Sequence, residues 1–305
     1  MKKQLLIAAV AATMGTAAIA DISITGAAKV NYVYTQTDNT ASTNAINHDM
    51  DLAIAGQSGD TSVVIKIGGI QASGTDDMAT EDVYLATKIG DVSIKTGSWD
   101  NGNNLIRSSS RGTGKVSLST TFNGVTATFD DSENGNATFK VAGSVSGVDA
   151  YYKKGTITDD FGLKTTVGGV TVDYNSMGSD TANSDRDSIR VDAEVSGIAL
   201  TYAAANADSA VAISGDDWLG NFEGTSAGNG NDVSGFGAKM ALAGNTIQVK
   251  SITVDATNDT DYTKFYVTRP LANGTTFEAI YTDKDVAGST SSDTETLDLE
   301  LAVKF

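Results

Sequence analysis

From residue 21 onward, apolar and polar side chains alternate one by one over stretch after stretch of the chain. At the C-terminus Leu297, Leu299, Leu301, Val303 and Phe305 interleave with Thr296, Asp298, Glu300, Ala302 and Lys304. Successive side chains of a strand point to opposite faces, so the pattern predicts a strand with one oily and one charged face. The segment after residue 20 repeats it, with Ile22, Ile24, Ala28, Val30, Tyr32 and Tyr34 set against Ser23, Thr25, Lys29 and Asn31. The two ends read as strand partners. Between them Val63, Ile65 and Ile67 alternate with Val64, Lys66 and Gly68, and Val83, Leu85, Thr87 and Ile89 with Tyr84, Ala86 and Lys88. The period is two rather than 3.6, and no apolar run after Ala20 is long enough for a membrane helix.

Punctuation alternates too. Tight reversals are predicted at Gly56 to Asp60, Gly90-Asp91, Asn123-Gly124, Ser146-Gly147, Gly168-Gly169, Ser196-Gly197, Gly244-Asn245 and Asn273-Gly274, residue pairs suited to hairpin turns. Longer polar connections lie at Thr35 to Asn47, Gly97 to Gly114, Asn175 to Asp187, Ala205 to Asp232, Asp255 to Asp261 and Asp283 to Glu295. Short turns at one end and long loops at the other describe an up-and-down antiparallel meander. Strands of about 9 to 11 residues match a tilted membrane crossing better than a soluble sandwich. A single sheet of so many strands removes its edges by closing, and the ring is too wide for side chains to fill. The predicted fold is therefore an all-β transmembrane barrel whose oily face meets lipid and whose Lys, Asp and Glu line an aqueous lumen. Segment counting gives about 18 strands. The weak pair Ala137 to Gly143 and Val148 to Lys153 keeps both 16 and 18 open.

Residues 1–20 read differently. Met1-Lys2-Lys3, the short apolar run Leu5 to Ala12 and the triplet Ala18-Ile19-Ala20 have the order of a secretory signal, which leaves 21–305 as the barrel domain. Loss of Lys2 and Lys3 takes the formal charge from −17 to −19. With no Cys and with His48 as the sole imidazole, disulfides, thiol nucleophiles and multi-His or Cys zinc centres are excluded. Export without Cys fits a bacterial envelope protein. The acidic balance argues against nucleic acid, whose phosphates need a basic face. His48 and Asp49 come with no G-x-S-x-G nucleophile motif. No catalytic residue is expected, and passive transport needs no cofactor.

Three features together resemble the general diffusion porins of Gram-negative outer membranes: the start Asp21-Ile22-Ser23-Ile24-Thr25-Gly26 behind a signal peptide, the hairpin Val83 to Trp99 around Gly90-Asp91, and the alternating terminal strand ending in Phe305. The resemblance covers Asp21 to Phe305. It implies an outer-membrane homotrimer passing small hydrophilic solutes and ions, and a C-terminal aromatic, Phe305, read by the barrel-assembly machinery. It also implies 16 strands, which become the expectation against the segment count. Lastly, it implies that the third outer loop folds into the barrel, its acids facing a basic cluster on the wall of the early strands.

Alternation assigns to the lumen Lys29, Lys66, Lys88, Lys95, Lys115, Lys140, Lys153, Lys164, Arg190, Lys239, Lys250 and Lys264, with Asp49, Asp51, Asp82, Asp130, Asp173, Asp192, Glu194, Glu278, Asp298 and Glu300. Lys29, Lys66 and Lys95 stand near mid-height on the first strands. The loop matching the family's third is Gly97 to Gly114, with Asp100, Arg107 and Arg111. It departs from the family pattern, since Asp100 is its only acid and the wall offers Lys in place of an Arg cluster. The expected constriction sets Asp100 across from Lys29, Lys66 and Lys95, with Arg107 and Arg111 entering the pore or pinning the loop to wall acids.

The remaining loops are acidic: Asp76, Asp77 and Glu81; Asp180, Asp185 and Asp187; Asp208, Asp216, Asp217, Glu223 and Asp232; Asp255, Asp259 and Asp261. Their summed field concentrates cations at the mouth and predicts a weak cation preference. Such carboxylates also suit loosely held Ca²⁺. Two other readings stand beside the general pore. One is an 18-stranded solute-specific channel with an aromatic slide for sugars, drawn from Tyr32, Tyr84, Trp99, Tyr151, Tyr152 and Tyr266. The other is a secreted calcium-binding β-rich adhesin, suggested by Ala227-Gly228-Asn229-Gly230-Asn231-Asp232, a motif present once where that fold stacks tandem copies.

Overall fold

The computed structural model describes residues 21–69, 79–100, 106, 111–133, 135, 137–209, 213, 230–256, 258–288 and 293–305; residues 1–20, expected to be a signal peptide, lie outside them. Among the described residues the alternating segments form eighteen strands: β1 (Asp21–Thr37), β2 (Thr43–Ser58), β3 (Thr61–Gly68), β4 (Ala79–Ile89), β5 (Val92–Asp100), β6 (Arg111–Phe122), β7 (Val125–Asp131), β8 (Thr138–Val145), β9 (Val148–Lys154), β10 (Thr158–Val167), β11 (Val170–Ser179), β12 (Arg186–Val195), β13 (Ile198–Ala207), β14 (Asp232–Leu242), β15 (Asn245–Asp255), β16 (Thr260–Pro270), β17 (Thr275–Val286) and β18 (Thr294–Lys304). Each pairs antiparallel with the next, and β18 returns to β1. The expected partnership of the chain's two ends is thus the seam of a closed barrel, running from Ala27↔Lys304 to Thr37↔Thr294.

The expectation of 16 strands is corrected to eighteen. The doubtful pair is real: β8 and β9 are short, at 8 and 7 residues, but Phe139 and Val141 face outward beside Tyr152 and Ala150 in continuous register. Short strands give weak sequence signals because only three or four side chains mark each face.

The tight turns follow the expected chemistry. At Asn123-Gly124, Ser146-Gly147 and Ser196-Gly197 both turn residues have positive φ, the backbone whose twist matches that of the flanking strands. The turn expected at Gly244-Asn245 sits one residue earlier, with Ala243 at φ 50°. Register explains the shift: pairing Leu242 with Asn245 keeps Met240 and Ile247 together on the oily face, and a one-residue slip would turn every side chain over.

Strand faces divide as predicted. Ile24, Val30 and Tyr32 of β1, Phe129, Phe161, Phe236 and Leu301 are among the large apolar side chains left exposed, and the pairing register places them all on the outer surface. All the Lys, Arg, Asp and Glu assigned to the lumen share the opposite face by that register. His48 lies on the outer face, between Ile46 and Met50 and opposite Val30, turned away from Asp49 and the luminal acids.

Strands run past the oily belt on the long-loop side. Above Tyr281 the outward positions of β17 become Asp283 and Asp285, and cross-strand they meet Glu295 and Asp261. Like charges directly opposite in a sheet repel. Asp285→Asn is therefore expected to raise the melting temperature of the detergent-solubilised barrel at neutral pH. Acidification should stabilise the wild type more than this variant, because protonating carboxylates removes the same repulsion. Circular dichroism melts at two pH values read both effects.

Candidate functional site

Part of the lumen wall is apolar rather than charged. At the inward positions of β13 to β16, Ala203, Ala205, Val233, Ile252 and Val254 replace charges, with Tyr262 and, on β11, Met177 alongside. Onto this patch fold two residues from connections between strands. Ile106, from the β5–β6 loop, and Ile213, from the β13–β14 loop, are both fully buried there. The β5–β6 loop starts at Asp100 and ends at Arg111, neighbours in the wall. Ile106 therefore lies against β13 to β16, seven or more strands round the barrel from β5 and β6. Between Asp100 and Arg111, Ile106 is the described residue of the constricting loop expected over Gly97 to Gly114, and it packs among apolar side chains on that wall.

Signals for this anchor exist in the sequence. Along β15 the oily phase slips by one residue: Ile247 and Val249 face out, yet Ile252 and Val254 face in. Where both phases are apolar, the inner face must be covered by something other than water.

The expected wall lysines occupy the early strands, each in a different setting. Lys29 Nζ lies 3.5 Å from Asp49 and 3.9 Å from Glu300, bridging β2 and β18 across β1. Lys66 is paired with Asp82 on β4 at 2.9 Å. Lys95 has a different kind of support. Its ammonium sits 3.8 Å above the Tyr84 ring and 4.5 Å from that of Trp99, and the two rings meet edge to face. Lys115, buried beside them, donates to the Trp99 carbonyl at 2.7 Å. Alternation along β5 puts Trp99 on the inner face with Lys95 and Gly97, and the register shift opposite Gly97–Trp99 places its extra residue on β6. At Gly97 φ is 136°, and a Cβ there would strike the Val83 carbonyl, so only glycine fits at this position.

Asp100 does not oppose these lysines. It ends β5 on the same wall, paired with Arg111, and its amide donates to Asp82 Oδ1 at 3.2 Å. The expected across-pore arrangement is corrected to a same-wall one, because β5 and β6 carry their pairing up to Asp100–Arg111 before the loop departs. Arg107 and the side chain of Arg111 lie outside the described residues. So do Asp76, Asp77, Asp216, Asp217, Glu223 and the Ala227 to Asn229 part of the glycine-rich motif.

The aromatic residues do not form one slide. Tyr32 and Tyr152 face outward, while Tyr84 and Trp99, Tyr151, and Tyr266 enter the lumen on β4–β5, β9 and β16. These inner rings carry a lysine ammonium: Lys95 on the first two, Lys140 on Tyr151 at 4.4 Å and Lys250 on Tyr266 at 5.2 Å. Among the described residues no group of three or more His, Asp or Glu is placed to hold a metal ion.

No family model and no curated protein matches the chain. Solved structures do. OpdL of Pseudomonas aeruginosa superposes with a TM-score of 0.68 at 9% identity, over 93% of this chain and 99% of that one. OccK2 (OpdF) of the same organism, in complex with glucuronate, gives 0.70 at 9% identity over 93% and 98%. OccAB4 of Acinetobacter baumannii gives 0.67 at 9% over 93% and 98%. The fold is that of an outer-membrane porin. These porin structures belong to the Occ/Opd group, so the likeness reaches outer-membrane porins as a class and does not extend to the general diffusion family that the sequence resembles.

Proposed function

We propose that the protein is an outer-membrane channel through which small hydrophilic solutes and ions diffuse passively, with solute selectivity set at the level where Ile106 is held against β13 to β16. The observation that carries this is the burial of Ile106 on the far wall inside a closed, charge-lined barrel of eighteen strands. Eighteen strands in place of sixteen favour the solute-specific reading over general diffusion, and the glucuronate in the OccK2 structure suggests a sugar acid as a first probe. Export by the leader, recognition of Phe305 by the assembly machinery and a homotrimeric state belong to this proposal as the sequence resemblance implies them. Loosely held Ca²⁺ at the loop carboxylates is part of it too, as diffuse counterion rather than cofactor.

Reconstitution in planar bilayers tests it. Discrete conductance steps are expected, with saturable block by a preferred solute; unsaturable permeation of all small sugars would return the protein to general diffusion, and no conductance would refute the channel. The mouth bears Asp38, Asp180, Asp185, Asp208, Asp259 and Asp293, whose field is screened at high salt. A reversal potential should therefore indicate cation preference at low ionic strength that fades in concentrated KCl. Anion preference at low salt would refute the mouth's role.

A further inference from the structure

Towards the tight turns, the wall of β7 to β11 is hollowed into a recess of about 470 Å³. Gly162 makes the hollow: Tyr151 lies against it so closely that a Cβ there would stand 2.8 Å from the ring's Cζ. The Tyr151 hydroxyl is fixed as well, lying 3.0 Å from Asn175 Oδ1 and 3.2 Å from Asp160 Oδ1. On this immobilised ring rests the Lys140 ammonium, 4.4 Å from the centroid. Neighbouring charges are largely engaged with each other. Asp173 accepts from Asn175 Nδ2 at 2.9 Å and pairs with Lys164 at 3.6 Å. Among the described residues no carboxylate lies within ion-pair distance of Lys140.

We infer that this recess is a solute subsite, in which Lys140 takes the anionic group of a small hydroxylated solute. The inference rests on the channel reading and deepens it. Lysines locked to acids, such as Lys66 on Asp82, have little charge to offer a passing ligand. An ammonium held on a ring keeps its donors, since a cation on a π face surrenders no proton to it. The recess volume lies within the range of small-molecule sites. Hydroxyls find acceptors in Asn175 and in the lumen-facing carboxylate Asp149, which also lines the recess.

The test uses the reconstituted channel with glucuronate and glucose as probes. Wild type is expected to show reversible, saturable block by glucuronate and little by glucose. Lys140→Gln should weaken glucuronate block roughly tenfold, the range for a lost charge-assisted hydrogen bond, with open-channel conductance in concentrated KCl unchanged. Tyr151→Leu, which removes the rest but keeps the lysine, should weaken it less. Tyr151 is a positioning residue, so Tyr151→Phe, which keeps the ring, should retain most of the block. Unaltered glucuronate block in Lys140→Gln, equal block by glucose, or no block of a conducting wild type overturns the subsite. Failure of the wild type to conduct would instead overturn the channel reading, and the heat-modifiable band on gels shows that each variant is folded.

Discussion

Replacing Ile106 with Asp is expected to raise single-channel conductance severalfold and to abolish solute discrimination. Ile106 is fully buried against β13 to β16, and burying such a side chain contributes about 1.5–3 kcal/mol. Its loss alone shifts the docked-to-released ratio of the loop by roughly ten- to a hundredfold. Asp does more than remove that term, because a carboxylate placed among Val233, Ile252 and Ala203 would have to leave water without a partner. The loop should then swing off the wall and open the lumen. Ile106→Val is the control and should change little. Since Ile213 shares the patch, the double variant Ile106→Ala with Ile213→Ala should release the loop more than either change alone, residues in one cluster being coupled. Conductance equal to wild type in Ile106→Asp would mean that the loop is held by something other than this contact.

Gly26→Val is expected to lower the yield of folded barrel sharply and to depress its melting temperature. The seam closes where Gly26 and Phe305 exchange both backbone hydrogen bonds, at 2.8 and 3.0 Å. The Phe305 ring lies back over Gly26, so that a Cβ there would stand 2.6 Å from Cζ and 2.9 Å from the Asp51 carbonyl on the other side. A ring covering a bare glycine across a strand pair protects the backbone hydrogen bonds beneath it. Valine would displace the ring and crowd β2 at once, at the one strand pair that joins the two ends of the chain. Heat-modifiability on gels and refolding yield in detergent measure the effect. Phe305→Leu separates ring from bulk, since it keeps apolar volume but not the flat cover.

Much of this architecture was legible as pattern. The lumen-facing charges were readable because each strand alternates with period two and one error would have turned a whole strand over; Lys29, Asp49 and Glu300 on three neighbouring strands do converge. Strand number was harder to settle, as β7 to β9 are too short to mark themselves strongly. What alternation could not reveal was placement across the barrel. Asp100 looked like a loop acid free to face the opposite wall, but pairing with Arg111 continues to that residue. The role of Ile106 was hidden for a related reason, since the apolar pair Leu105-Ile106 in a mostly polar loop gains meaning only from the inverted phase of β15, far away in sequence. Alternation puts Tyr84, Lys95 and Trp99 on one face, but the support of the ammonium by both rings depends on the register between β4 and β5.

With an even number of strands, the start of β1 and the end of β18 lie at the same end of the barrel, among the tight turns, and every long connection lies at the other. The chain contains no cysteine. A single thiol introduced at Thr40, between β1 and β2, would report on the loop side alone, and one at Gly147, in the β8–β9 turn, on the turn side alone. Two such variants and a membrane-impermeant maleimide would give the sidedness of insertion in any vesicle preparation, without a tag at either end of the chain.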